Sequence, residues 1–186
     1  YIREFCDKNK EIDRLNWSCY ATPAEGLSGK FILKDQQVFG KIKGVTDKDY
    51  YTNSYHVPVG YKISIVDKIN IEAPYHKLCN GGHISYIELD GYPDEETIEN
   101  IITYAYGNTN ISYLGINFHI KYCKSCGTYL ESEDHKCTNC GSEDIQGISR
   151  VTGYLSLDER FGSGKVAERS DRISHTNGER TYCDVL

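Results

Sequence analysis

Four cysteines stand in two matched pairs, Cys123-Lys124-Ser125-Cys126 and Cys137-Thr138-Asn139-Cys140, with ten residues between them. Each C-x-x-C turn presents two sulfurs on one side, and two such turns facing each other close a tetrahedral tetrathiolate site. Gly127 and Gly141 each follow a pair directly, where the backbone can turn with its N–H groups toward sulfur. Zinc is the expected occupant, because a closed S₄ site suits it and needs no redox chemistry. Iron in a rubredoxin-like site is the runner-up. Four protein ligands leave no open position for a substrate, so the site reads as a brace for a segment too small and polar to bury its own core. His119 and His135 lie nearby, but four sulfurs suffice. Beyond the second pair comes Arg150-Val151-Thr152-Gly153-Tyr154-Leu155. A glycine among β-branched and aromatic neighbours is poor in a strand or helix interior, and the local pattern alone gives a turn or bulge.

The whole arrangement says more. RVTGYL, with a metal-type cysteine cluster just upstream and a short polar tail downstream, resembles the C-terminal end of the anaerobic (class III) ribonucleotide reductases. In that family the glycine of an R-V-x-G-Y motif carries a stable backbone radical, which implies that role for Gly153. A Cα radical is stabilised when its centre is flat and conjugated with the amide nitrogen and the carbonyl, and a Cβ would crowd that plane. The protein would supply shielding and position while the radical does the difficult step. The resemblance implies a glycyl radical installed by an S-adenosylmethionine-dependent, iron–sulfur activating enzyme. It also implies a cysteine thiyl that abstracts the 3′-hydrogen of a ribonucleoside triphosphate. Reduction by formate or a dithiol system then gives the deoxynucleotide.

The fold it implies is α/β: residues 1–118 as the C-terminal part of a ten-stranded α/β barrel of the glycyl-radical enzyme type, 119–148 as a four-cysteine zinc module, and 149–186 as the glycyl radical loop and tail. In the family the thiyl cysteine and the nucleotide effector domains lie upstream of the matching segment. Cys6, Cys19, Cys79 and Cys183 therefore receive no thiyl role, and Cys79 reads as a small core filler. The remaining N-terminal part of the reductase is an expected partner, and the full-length enzyme is expected to be a homodimer. This piece alone is expected not to reduce nucleotides. Two rivals stay open: another glycyl-radical protein (a lyase or a replacement subunit), and a non-enzymatic zinc-ribbon interaction module in which Gly153 is only a turn.

A second candidate site lies near the start. Thr22, Pro23 and Glu25 fit a capping box, with Thr as N-cap, Pro at the first helical position and Glu reaching back. Free N–H groups at a helix start also make an anion site. T-P-A-E segments stand at a matching place in the family, and the resemblance makes Thr22, Ala24 and Glu25 candidates for holding substrate phosphates. His56, in Tyr50-Tyr51-Thr52-Asn53-Ser54-Tyr55-His56-Val57-Pro58-Val59, reads as a hydrogen-bonded structural imidazole.

Composition narrows the partners. A net charge of −6 argues against a phosphate-backbone binder working by bulk electrostatics. Around the knuckles Glu131, Glu133, Asp134, Glu143 and Asp144 outnumber Lys121, Lys124 and Lys136, so no nucleic-acid partner is expected. No apolar run approaches a membrane span and no signal peptide is visible, so no membrane partner and a cytoplasmic location are expected. Eight cysteines in such a chain point to metal or redox chemistry rather than disulfides. The chain begins at Tyr1 and has no Met, and reads as a partial piece.

The positioning elements follow from periodicity. Ile2, Phe5, Cys6, Ile12 and Leu15 predict the end of a helix within residues 1–20. Residues 31–62 read as irregular strands and turns, with Phe31-Ile32-Leu33 and Val38-Phe39-Gly40 among them. Ile63 to Ile71 supports either a short helix or a strand. Ile84 to Leu89 alternates as a strand; Pro93-Asp94-Glu95-Glu96 opens a helix with Ile98, Ile101, Ile102 and Ala105 on one face and Gly107 as its C-terminal cap. Ile111 to Ile116 is the next strand, which predicts a parallel βαβ crossover. Leu157 to Lys165 reads as a flexible turn, and Val166 to Arg172 as a polar surface helix, either solvated or docked. Cys183 reads as a surface thiol.

Overall fold

A computed structural model describes residues 1–21, 26–130 and 134–175 of the chain. The proposed capping box Thr22–Glu25 and Cys183 lie outside the described residues. The first helix, α1 (Ile2–Asp13), ends at Arg14, which takes the left-handed conformation with φ 54°. α2 (Leu27–Phe39) begins after Gly26 in the N-cap position and ends at Gly40, φ 74°. The strands expected at 31–33 and 38–40 are therefore replaced by one helix that runs through Phe39, with Gly40 as its C-cap. Their apolar residues suggested strand, but Lys30, Lys34, Gln36 and Gln37 are good helix formers. Ser28 and Ile32, one turn apart, bury the inner stripe, while Phe31, Leu33 and Phe39 stay exposed.

The ambiguous 63–71 segment is a helix too. α3 (Ile65–Leu78) starts where Ser64 Oγ accepts the Asp67 N–H at 3.0 Å and continues through Pro74 past the expected end. That cap decides helix over strand. Its buried face carries Lys68, Ile69, Glu72, Ala73 and His76.

β1 (Ser85–Glu88), α4 (Glu95–Asn108) and β2 (Leu114–Asn117) form the expected unit. The strands pair in parallel, from Ser85 opposite Leu114 to Glu88 opposite Asn117. Asp94 caps α4 by accepting the Thr97 N–H at 2.7 Å. Ile101 and Ala105 are its buried face; Ile102 points outward, and Gly107 sits in the last turn, with Thr109 at the C-cap. These elements share one core of Ile69, Ala73, Ile87, Leu89, Ile101, Ala105 and Ile111.

The second half is a four-stranded antiparallel sheet of β3 (Ile120–Cys123), β4 (Tyr129–Leu130), β5 (Ile145–Arg150) and β6 (Leu155–Leu157), in the order β4-β3-β5-β6. Where a flexible turn was expected, a 3₁₀ turn (Asp158–Arg160) leads into α5 (Ser163–Ser170). α5 is docked rather than solvated: Lys165 and Glu168 are buried and bridged at 2.6 Å. It crosses α2 at a glycine–glycine contact, where a Cβ on Gly164 would lie 2.8 Å from Gly29 Cα.

Candidate functional site

The two knuckles are near copies of each other. Gly127 N–H donates to Cys123 O and Gly141 N–H to Cys137 O, both at 2.8 Å. Gly127 and Gly141 have φ of 75° and 71°, a conformation that favours glycine. Cys123 N–H reaches Thr128 O and Cys137 N–H reaches Ser142 O in matching positions. All four Sγ atoms lie within 4.8 Å of one another, with Cys123–Cys140 at 3.6 Å and Cys126–Cys137 at 3.5 Å. Metal–sulfur bonds of about 2.3 Å at tetrahedral angles require sulfurs about 3.8 Å apart, so the donor set fits such an ion. Hydrogen bonds from Thr128 pull the Cys126 thiol down to about 6. Cys140 is pushed up to about 12: the Ser142 N–H favours its thiolate, but the sulfurs of Cys126 and Cys123 outweigh it. A cation among the four sulfurs would relieve that crowding. His119 is not a ligand; its Nε2 lies 3.0 Å from Asp158 Oδ2.

β5 connects this centre to the glycine. It pairs with β3 from Cys123 opposite Ile145, and with β6 up to Arg150 opposite Leu155. Val151, Thr152, Gly153 and Tyr154 form the hairpin loop, closed by the Val151 N–H to Tyr154 O at 2.9 Å. The five steps from Ile145 to Arg150 span about 17 Å at about 3.4 Å each. The sulfurs and Gly153 thus stand at opposite ends of one strand.

Gly153 lines a cavity of about 100 Å³, together with His56, Lys68, His83, Tyr86, Glu88 and Arg150 among others. Two ordinary reasons for a glycine are missing there. Its φ is outside the left-handed region, and a Cβ built on it would meet nothing within 4 Å. The local reading as a turn glycine does not account for the residue type.

Glu88, to which the sequence reading gave no role, ties the loop to the β1–β2 sheet. Its carboxylate accepts from the Arg150 guanidinium and from Asn117 Nδ2. Its backbone N–H donates to His175 Nδ1 at 3.0 Å, and its carbonyl accepts the His175 N–H at 2.8 Å. Arg150 lies 3.8 Å over the Tyr86 ring, and its carbonyl accepts from Arg172 at 2.8 Å. Burial opposes ionisation of Glu88, but Arg150 and Arg172 hold its carboxyl below the usual range. Burial pulls His175 down to about 4, so it is neutral at pH 7. The one available signal for Glu88 was its place in an alternating strand, sharing a face with Tyr86 rather than pointing to water.

His83, which lines the same cavity, and Glu72 behind it on α3 are almost fully buried. Glu72 accepts the Val57 N–H at 2.9 Å and pairs with Lys68. Burial alone would raise its pKa; His56 and Lys68 hold it far below the carboxylate range instead. Burial brings His83 down to about 4. His56, expected as a hydrogen-bonded structural imidazole, pairs with Glu72: its Nδ1 lies 3.5 Å from Oε2 without an aligned hydrogen bond, and its ring stacks on His83. His76 is held by Ser85 Oγ at 3.0 Å.

Comparison with known proteins settles the lineage. A family model described as anaerobic ribonucleoside-triphosphate reductase matches residues 1–175. The chain belongs to that family. It is 40% identical to the anaerobic ribonucleoside-triphosphate reductase of Escherichia coli (strain K12), over 96% of this chain and 26% of that protein. It is 38% identical to the enzyme of the same name from Enterobacteria phage T4, over 86% of this chain and 28% of the other. The chain thus spans about a quarter of its relatives' length. Its fold is shared with an anaerobic ribonucleotide reductase structure at a TM-score of 0.73, 22% identity, covering 93% of this chain and 27% of that one. The Thermotoga maritima anaerobic ribonucleotide reductase with MES in the active site gives a TM-score of 0.66 at 22% identity, covering 87% and 26%. These neighbours have the mixed α/β content found here. No helix among the described residues is long and apolar enough to cross a membrane.

Proposed function

We propose that this chain is the C-terminal catalytic part of an anaerobic ribonucleotide reductase, in which Gly153 carries the radical that starts conversion of ribonucleoside triphosphates to deoxyribonucleoside triphosphates. One observation carries the reading: Gly153 faces a cavity at the tip of an anchored hairpin, at a position where neither backbone conformation nor space calls for glycine. A Cα that must lose a hydrogen and become planar supplies the missing reason. An S-adenosylmethionine/iron–sulfur activating enzyme removes that hydrogen. Gly153 then takes a hydrogen atom from a cysteine thiol in the N-terminal remainder of the reductase, and that thiyl attacks the substrate.

In this reading residues 1–118 close the α/β barrel, 119–148 form the zinc module and 149–186 the radical loop and tail. Zinc on Cys123, Cys126, Cys137 and Cys140 is structural, because all four positions are taken by protein and the strand between keeps the ion far from Gly153. Lys124 pairs with Asp144 and Lys136 with Glu143, which supports a bracing role over a nucleic-acid surface. Thr22, Ala24 and Glu25, just ahead of α2, hold substrate phosphates. The full-length enzyme is a cytoplasmic homodimer.

The test is cleavage by oxygen. After anaerobic activation of the complete enzyme, air should cut the backbone at Gly153 and release the segment that begins there. A chain that stays whole after activation, or is cut elsewhere, overturns the assignment.

A further inference from the structure

We propose that His56, Glu72 and His83 form a second site for a divalent transition cation, chemically distinct from the four-cysteine centre and opening into the Gly153 cavity. Candidate donor atoms of the three residues lie within 4.8 Å of one another. They come from three separate parts of the chain: the loop before α3, α3 itself, and the segment before β1. Each atom lacks a hydrogen-bond partner. His56 Nδ1, Glu72 Oε2 and both ring nitrogens of His83 are buried and unmatched. Buried polar atoms are ordinarily paired, and a convergent set left unpaired calls for a specific occupant.

The geometry favours a metal ion. His56 Nδ1 and Glu72 Oε2 are 3.5 Å apart. Two metal–ligand bonds of about 2.0–2.1 Å at a tetrahedral angle place their donors about 3.3–3.4 Å apart. Two imidazoles and one carboxylate suit zinc, iron(II) or cobalt(II), and disfavour magnesium or calcium, which prefer all-oxygen shells. Three protein ligands leave a position open. Since His56 and His83 line the cavity, that position faces the same space as Gly153 and would take an oxygen donor such as a carboxylate or phosphate.

The surroundings are already oriented. The Val57 N–H and Lys68 occupy Glu72 Oε1, which leaves Oε2 directed at the two imidazoles. His83 is packed edge-on by His76 at 4.7 Å, and Ser85 and Ser112 fix His76. Such outer contacts commonly set a ligand's direction. Lys68 works against the ion: its ammonium shares a carboxylate with the incoming cation. The site is therefore weaker than an isolated His₂Glu set, and removing that charge should tighten it.

This inference does not rest on the reductase reading, because its readout is metal binding rather than turnover. The complete enzyme, with its cysteine site filled by zinc, is titrated with Co²⁺ without oxygen. One further Co²⁺ is expected to bind, giving ligand-field bands without the thiolate charge-transfer bands of a cysteine-bound ion. Glu72→Gln and His83→Gln should each weaken it by at least the roughly 10- to 100-fold that losing even an outer-shell partner brings. Lys68→Met should strengthen it by about tenfold or more, as expected for removing a like charge a few ångströms away. Retained zinc and an unchanged circular dichroism spectrum identify folded variants. If neither the parent nor Lys68→Met takes up Co²⁺, the orphaned atoms hold water and the proposal fails. Binding that ignores Glu72→Gln and His83→Gln in folded protein overturns it equally.

Discussion

Two glycines eleven residues apart, Gly153 and Gly164, should respond oppositely to the same added methyl group. At Gly153 an alanine Cβ meets nothing within 4 Å and φ is already accessible to any residue. Gly→Ala at a compatible position stabilises by about 0.4–1 kcal/mol, chiefly by reducing the freedom of the unfolded chain. At Gly164 the new Cβ would lie 2.8 Å from Gly29 Cα and 3.3 Å from Asp49 O. Both obstacles are backbone and cannot swing aside, so α5 must shift from α2 at a cost of about 1–3 kcal/mol. Urea unfolding of the chain measures both differences.

Function should invert that order. In the complete enzyme Gly153→Ala should abolish the organic radical signal and nucleotide reduction, although the variant is at least as stable as the parent. Gly164→Ala should keep a radical in whatever fraction folds. Deuteration of the glycine α-carbon should collapse the proton splitting in the parent, which locates the spin on a glycine. The reasoning is refuted if Gly153→Ala gives the same radical and turnover as the parent. It is refuted in a different way if Gly153→Ala unfolds, because glycine would then be there for structural reasons.

Other perturbations test the supports. Stripping the ion from the four cysteines with a chelator under reducing conditions should raise amide exchange across β3, β4 and β5, while β1, β2 and α4 keep their protection. Unchanged exchange in β5 would show that the sheet needs no brace. Glu88→Gln leaves the Arg150 guanidinium buried without its counter-charge and should cost about 3–5 kcal/mol by urea unfolding; a loss under about 1 kcal/mol would mean that the pair is not what holds the loop. The pKa of His175 falls from 6.5 to about 4 on folding, so the folded state resists protonation there. Its contribution is fully present above pH 6.5 and is lost as pH drops toward 4, at up to about 1.4 kcal/mol per pH unit. His175→Gln should flatten that part of the stability–pH curve.

Sequence patterns recovered what depends on local chemistry. Cysteine spacing gave the knuckles with their glycines, Asp94 the start of α4, and alternation plus an amphipathic helix the parallel pair of strands. The failures are equally specific. α2 was read as strands because its apolar residues are mostly exposed in this chain, so they show no inward stripe; only Ile32 is completely buried. Glu72 and Lys68 were passed over because a polar face on α3 looks like a solvated one until β1 and the segment before it, which carries His83, are seen to cover it. Glu88 acquires its role from Arg150, 62 residues away. No local pattern encodes that pairing.

The loop bearing Gly153 is held at two separate points. The cysteine centre grips the far end of β5 through backbone pairing with β3, while Glu88 grips the near end through Arg150, with Arg172 and His175 fastened beside it. Under the proposed radical role, an activating enzyme would need access to the α-carbon, and the cavity would afterwards have to exclude water and oxygen. Opening at the metal end would dismantle a sheet, with every ladder hydrogen bond in it. Opening at the near end breaks one ion pair and a few hydrogen bonds around a carboxylate, and leaves the strand register intact. In the proposed reading, an ion held by four thiolates suits the permanent anchor; a buried Arg–Glu pair, which offsets much of its attraction by desolvation, suits the releasable one. The proposed division of labour along β5 follows from that difference: a filled cysteine site would fix where the hairpin points, and the Glu88–Arg150 pair would decide whether it is seated.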